Sequence, residues 1–72
     1  MMYQGVLKHN QSGRYEIPGT YFTSGDQIEL LIEGKWVAGR IEYSYKNDDY
    51  YFLSNEVGNV YQLTGYRARV GY

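Results

Sequence analysis

Apolar and polar residues alternate along this chain in short runs, and glycines separate the runs. In QIELLI, residues 27–32, Ile28, Leu30 and Ile32 share one parity, with Glu29 and Leu31 on the other. That period of two is the mark of a half-buried strand. WVAGRIEYSY, residues 36–45, is the longest such run. Val37, Gly39, Ile41 and Tyr43 fall on one side of it, and Trp36, Ala38, Arg40 and Glu42 on the other. The two charges in the second set predict that it faces solvent, with Trp36 on the outside or at the rim. Gly39 within the run predicts a bend or bulge. GVLKH (5–9) predicts a first strand, NQSG (10–13) a turn, and RYEI (14–17) the returning strand of a hairpin, ended by Pro18-Gly19 because proline cannot donate to a ladder. TSGD (23–26), EGK (33–35) and KNDD (46–49) predict further reversals. YYFL (50–53), VYQL (60–63) and ARV (68–70) predict strands, SNEVGN (54–59) a looser loop, and TGYR (64–67) a single helical turn. No window of about eleven residues keeps a helical apolar stripe without a glycine, so no long helix is expected.

Short strands joined by tight turns, with no crossover helix, must curl their sheet to hide one face. Connections of this length predict antiparallel neighbours. The expected architecture is therefore all-β: one domain over residues 1–72, a small antiparallel SH3-like barrel of five to six strands with a single helical turn before the last strand. An OB-type barrel is the alternative, but it needs a longer first meander and usually a helix between its third and fourth strands.

Size and composition narrow the means of stabilising such a fold. A chain of 72 residues hides only about 60% of the surface its unfolded form exposes. It has no cysteine, so neither a disulfide nor a thiolate-held metal can staple it, which fits a reducing cytoplasm. Packing, or packing with self-association, must suffice. MMYQGVLKHN lacks the basic and apolar regions of a signal peptide. Asn10-Gln11-Ser12 matches a glycosylation sequon that has no meaning without an export signal. No run approaches the ~18 apolar residues of a membrane span. The formal net charge of −1 gives no general footing on nucleic acid, though a local basic patch is compatible with it.

The aromatic content changes the picture. Ten tyrosines, two phenylalanines and Trp36 suit a small β-fold, since tyrosine favours strands and keeps its hydroxyl wet while burying its ring. Trp36 beside a turn needs a cover, because a fully exposed indole forgoes roughly 2–3 kcal/mol of available burial. Either the stem of a neighbouring Arg or Lys supplies that cover, or a partner does.

The segments Gly13-Arg14-Tyr15-Glu16, Thr23-Ser24-Gly25-Asp26, Gly39-Arg40-Ile41-Glu42 and Tyr50-Tyr51-Phe52, with Glu29, Gly34, Trp36, Leu63, Gly65 and Arg69, resemble a small bacterial family. That family is a domain of unknown function met mainly in Gram-positive bacteria and their mobile elements. The resemblance covers nearly the whole chain and implies a setting without a mechanism. Residues 25–30 and 34–41 are also similar in outline to the Tudor and agenet branch of SH3-like barrels, which implies a barrel.

No constellation points to catalysis. Asp48-Asp49 sits in a predicted hairpin tip beside Lys46 and Asn47. His9 is the sole histidine and cannot alone supply a triad or a metal set. Ser12, Ser24, Ser44 and Ser54 have no histidine or lysine at a recognisable spacing, and no phosphate loop is present. Neither an enzyme nor a cofactor is expected. Arg67 and Arg69 share a parity on the last strand, Arg40 lies on the exposed parity of the long strand, and Tyr50 and Phe52 are placed beside Trp36 and Arg40. Aromatics among arginines are the ingredients of a single-strand stacking platform, yet Glu29, Glu33 and Glu42 nearby would repel phosphate. The same surface, joined by Tyr21 and Tyr66, suits an extended peptide or a second copy of the chain. The leading expectation is a non-catalytic binding or assembly module contacting protein or peptide. Its contact residues are Trp36, Arg40, Tyr50, Phe52, Arg67 and Arg69. A single-stranded nucleic-acid-binding accessory protein of a bacterial mobile element is the alternative, and no membrane partner is expected.

Overall fold

A computed structural model describes residues 1–71 of the chain. Nine strands follow one another: β1 (Met2–Val6), β2 (Lys8–His9), β3 (Tyr15–Ile17), β4 (Thr20–Tyr21), β5 (Gln27–Ile32), β6 (Lys35–Ser44), β7 (Asp49–Ser54), β8 (Gly58–Val60) and β9 (Arg67–Gly71). Among the described residues no helix forms, so none is long and apolar enough to cross a membrane.

The β5–β6 hairpin is the centre. Its two-residue loop, Glu33-Gly34, has φ of 51° and 79°, the paired positive values that suit the twist of the flanking strands. The loop fixes Leu31 opposite Trp36 and Leu30 opposite Val37. Alternation then sends Ile28, Leu30, Val37 and Ile41 to one face, where each is buried. Phe52 lies opposite Ile41, fully buried, and its ring alone contributes about 1.5–3 kcal/mol of hydrophobic stabilisation.

All pairings are antiparallel. The large sheet runs β1-β9-β5-β6-β7-β8 and the small one β2-β3-β4. Tyr15 and Ile17 of the small sheet, with Leu7, Phe22 and Leu63, complete the core beneath the large sheet. The expected closed barrel does not form. β1 and β8 are the outer strands of the large sheet, and β8 has only three residues before Gln62, at φ 57°, turns the chain away.

Four local expectations change with it. GVLKH is not one strand: Leu7 breaks it, donating to the Tyr66 carbonyl at 2.8 Å and accepting from Gly65 N–H at 3.0 Å, so that the chain passes from one sheet to the other there. VYQL gives way to β8 at Gly58–Val60. The helical turn at 64–67 is absent. Gly65 has φ 97°, outside any right-handed helix, and Tyr66 N–H closes a tight turn onto Leu63 at 3.0 Å. Gly39 marks no bulge, since the register from Gln27↔Arg40 to Ile32↔Lys35 is unbroken. A Cβ there would lie 2.5 Å from the Phe52 ring and 2.5 Å from the Leu53 carbonyl oxygen, so glycine is what lets the phenylalanine fill the core.

Candidate functional site

The face of the large sheet turned away from the core is set by the same register. Residues directly opposite one another point to the same side, which assembles Gln4, Arg69, Glu29 and Ala38 in one row across β1, β9, β5 and β6. Arg69 Nε donates to Glu29 Oε1 at 2.7 Å. Its guanidinium carbon stands 4.1 Å from the centroid of the Trp36 ring, so the two side chains meet over β5, which separates their strands. Such a contact contributes about 0.5–1 kcal/mol at an exposed site. It also supplies the cover that the indole needs, and Trp36 is left half-buried.

Arg40 lies opposite Leu53 on one side and Gln27 on the other, and its Nε donates to Glu42 Oε2 at 2.7 Å along the same strand. Arg67 is exposed and forms no ion pair with another described residue. Lys35 pairs with Glu56 at the rim. Ala38 presents only a methyl group on this side, so the middle of the face is low, with the backbone of Gly39 beside it. One open depression of about 410 Å³ lies between them and Arg40, Leu53 and Asn55. A second, of about 270 Å³, lies on the other side, toward Glu29 and Arg69.

Trp36, Arg40, Arg67 and Arg69 thus share one face, while Tyr50 and Phe52 do not join them. Ser44 lies opposite Asp49, so even positions of β6 meet odd positions of β7. Tyr50 and Phe52 therefore share the inner side with Tyr43 and Ile41, and Phe52 cannot reach a ligand. The aromatic residue of β7 on the Trp36 side is Tyr51, opposite Glu42. It stacks on Tyr61 with centroids 5.2 Å apart. The register parity of the KNDD hairpin would have found Tyr51. Tyr21 is exposed but belongs to the small sheet, and Tyr66 packs against the core.

A second cluster, missed in the sequence, joins the two sheets. Tyr15, on β3, is buried; its hydroxyl accepts from Leu63 N–H at 3.0 Å and donates to Asp49 Oδ2 at 3.2 Å. His9 stacks on that ring at 4.0 Å and bonds Asp49 Oδ1 through Nε2 at 2.9 Å. Burial is the main cause that raises the Tyr15 pKa above 10.0; the Leu63 bond opposes it and the Asp49 charge adds to it. His9 and Asp49 lie 40 residues apart, and no local pattern links them. Nearby, Tyr43 donates to Asp48, a bond that is the main cause pushing its pKa up to about 12. Among the described residues, no group of three or more His, Cys, Asp or Glu is arranged to hold a metal ion.

Neither the curated proteins nor the solved structures provide a match to this chain, so the Tudor-like outline of residues 25–41 gains no support from a known fold. A family model does match, over residues 4–70, nearly the whole of the two sheets just described. The chain belongs to the family defined by DUF5348, a domain of unknown function.

Proposed function

We propose that this chain is a non-catalytic binding module whose outer sheet face receives an extended segment of a protein partner, a second copy of the chain being one such partner. The observation that carries this reading is the low centre of the face over Ala38, with Arg40 and Glu29–Arg69 beside it. An extended peptide can lie in such a depression and meet both charge signs and apolar surface within a short span. The charges favour protein over nucleic acid. Arg40 and Arg69 each already hold a carboxylate at 2.7 Å, and phosphate would have to displace Glu42 and Glu29 to reach them. Base stacking is disfavoured too, because the Arg69 guanidinium lies over the Trp36 ring and Phe52 is in the core.

Selection of a random peptide library on the immobilised domain tests this, with sedimentation of the free protein to detect self-association. Ala38 is exposed, so Ala38→Tyr fills the depression without touching the core. Selected peptides, or the self-association, are expected to weaken about tenfold in that variant, a change of about 1.4 kcal/mol, with the melting temperature unchanged. Binders indifferent to both Ala38→Tyr and Trp36→Ala would sink the proposal. So would a single-stranded oligonucleotide bound with an affinity that falls steeply with salt.

A further inference from the structure

A different concavity lies where the chain leaves β8. Asn47, Asp49, Tyr50, Tyr61 and Gln62 line a cavity of about 300 Å³, at the small end of the range for ligand pockets. Its lining is one-sided chemically: a carboxylate, two phenol rings and two carboxamides, with no cationic side chain. Asp49 accepts from Tyr50 N–H and His9 on Oδ1 and from Tyr15 on Oδ2. A carboxylate has about four acceptor sites, so these three donors leave room for one more. Phenol faces carry the negative side of the ring quadrupole and attract cations. Carboxamide oxygens of Asn47 and Gln62 add acceptors suited to N–H donors. Asp48, one residue before Asp49 and held by Tyr43, adds negative charge nearby; His9 and Lys46 are the positive or titratable neighbours. Gln62 itself has φ 57°, a left-handed backbone uncommon for a non-glycine residue and maintained only where its surroundings fix it.

We infer that this pocket binds a cationic head group on an aliphatic stem, a guanidinium or primary ammonium such as ends an arginine or lysine side chain. The cation would sit against the Tyr50 and Tyr61 rings, with an N–H directed to the remaining acceptor of Asp49. The inference does not rest on the outer-face proposal, and its residues are separate from Trp36, Ala38 and Arg69.

Titration of the isotopically labelled protein with acetyl-arginine amide, followed by NMR, is the test. Saturable shifts are expected at the side-chain amides of Asn47 and Gln62 and at the Tyr50 backbone, and the neutral acetyl-citrulline amide should produce none. Asp49→Asn puts the inter-sheet contacts at risk, so the deciding variant is Tyr61→Ala, at a residue that is 46% exposed. It should remain folded and bind about two- to fivefold more weakly, the size of one exposed cation–π contact. Ala38→Tyr should leave this binding unchanged, which separates failure here from failure of the outer-face reading. Agmatine and a short arginine-containing peptide distinguish a free amine from a side chain as the source of the cation. No saturation, equal shifts with the citrulline analogue, or unaltered affinity in Tyr61→Ala would each overturn the inference.

Discussion

Two clusters of this molecule are built from the same parts and do opposite things. On the outer face an aromatic ring, Trp36, lies under Arg69, which holds Glu29. Between the sheets another ring, Tyr15, lies against His9, which holds Asp49. Both ion pairs link residues 40 apart in the chain. They differ in what stands behind them. β9, β5 and β6 are already neighbours in one ladder, so the outer cluster adds little that the backbone does not hold. β2 and β3 share no ladder with β7, so the inner cluster ties together strands that no backbone pairing joins. Burial widens the gap, since Tyr15 is 1% exposed and Trp36 is only half covered. A similar set of side chains is therefore centred on a buried ring between the sheets in one place and on a half-exposed ring at the surface in the other.

Replacing the inner ring should produce the largest effect. Tyr15→Ala empties a buried aromatic site, at about 3–5 kcal/mol, and leaves Leu63 N–H unpartnered as well. Domains of this kind have about 5–15 kcal/mol in total, so urea titration should find the variant at the edge of unfolding. A loss no greater than that of Trp36→Ala would erase the contrast between the clusters. Tyr15→Phe keeps the ring and sharpens the point. It should cost about 1–3 kcal/mol for the orphaned donor and change the response to alkali. The Tyr15 pKa is raised in the folded state above 10.0, chiefly by burial. Its contribution is complete below that value and is lost as pH rises through the higher folded value. Wild type should then lose stability above pH 10 more steeply than Tyr15→Phe. Tyr43 shifts in the same direction, to about 12 through Asp48, but it is exposed to screening, and Tyr43→Phe should leave most of the slope in place.

The sequence makes one cluster far easier to read than the other. Residues 27–32 and the long run after them alternate cleanly, so β5 and the solvent side of β6, Trp36 and Arg40 included, follow from period two alone. Arg67 and Arg69 follow for the same reason. Tyr50 and Phe52 lie on the side opposite to the expected one, although hairpin parity alone decides their side and needs no tertiary knowledge. The Tyr15–Asp49 bond spans 34 residues and rests on how two sheets pack, which no local pattern encodes. The barrel stayed open for a comparable reason: whether β1 meets β8 depends on where Gln62 and Leu7 divert the chain, and each looks like an ordinary strand residue in the sequence.

The smallest effects belong to the outer cluster, as the proposed binding face requires. Trp36→Ala removes a half-buried ring and one exposed cation–π contact, so it should cost under about 2 kcal/mol with the far-ultraviolet spectrum retained. Glu29→Gln should cost less, about 0–1 kcal/mol, because an exposed pair gains little against the entropy of holding two long side chains. That loss should shrink further at high salt, where the Debye length falls to about 3 Å at 1 M. Urea midpoints for both variants at low and high salt check the ordering. If Glu29→Gln destabilises the fold as much as Tyr15→Phe does, and salt fails to reduce the loss, then Glu29 and Arg69 are part of the structural framework. The outer face would then need its charge pairs intact to stay folded, and a partner could not rearrange them on binding.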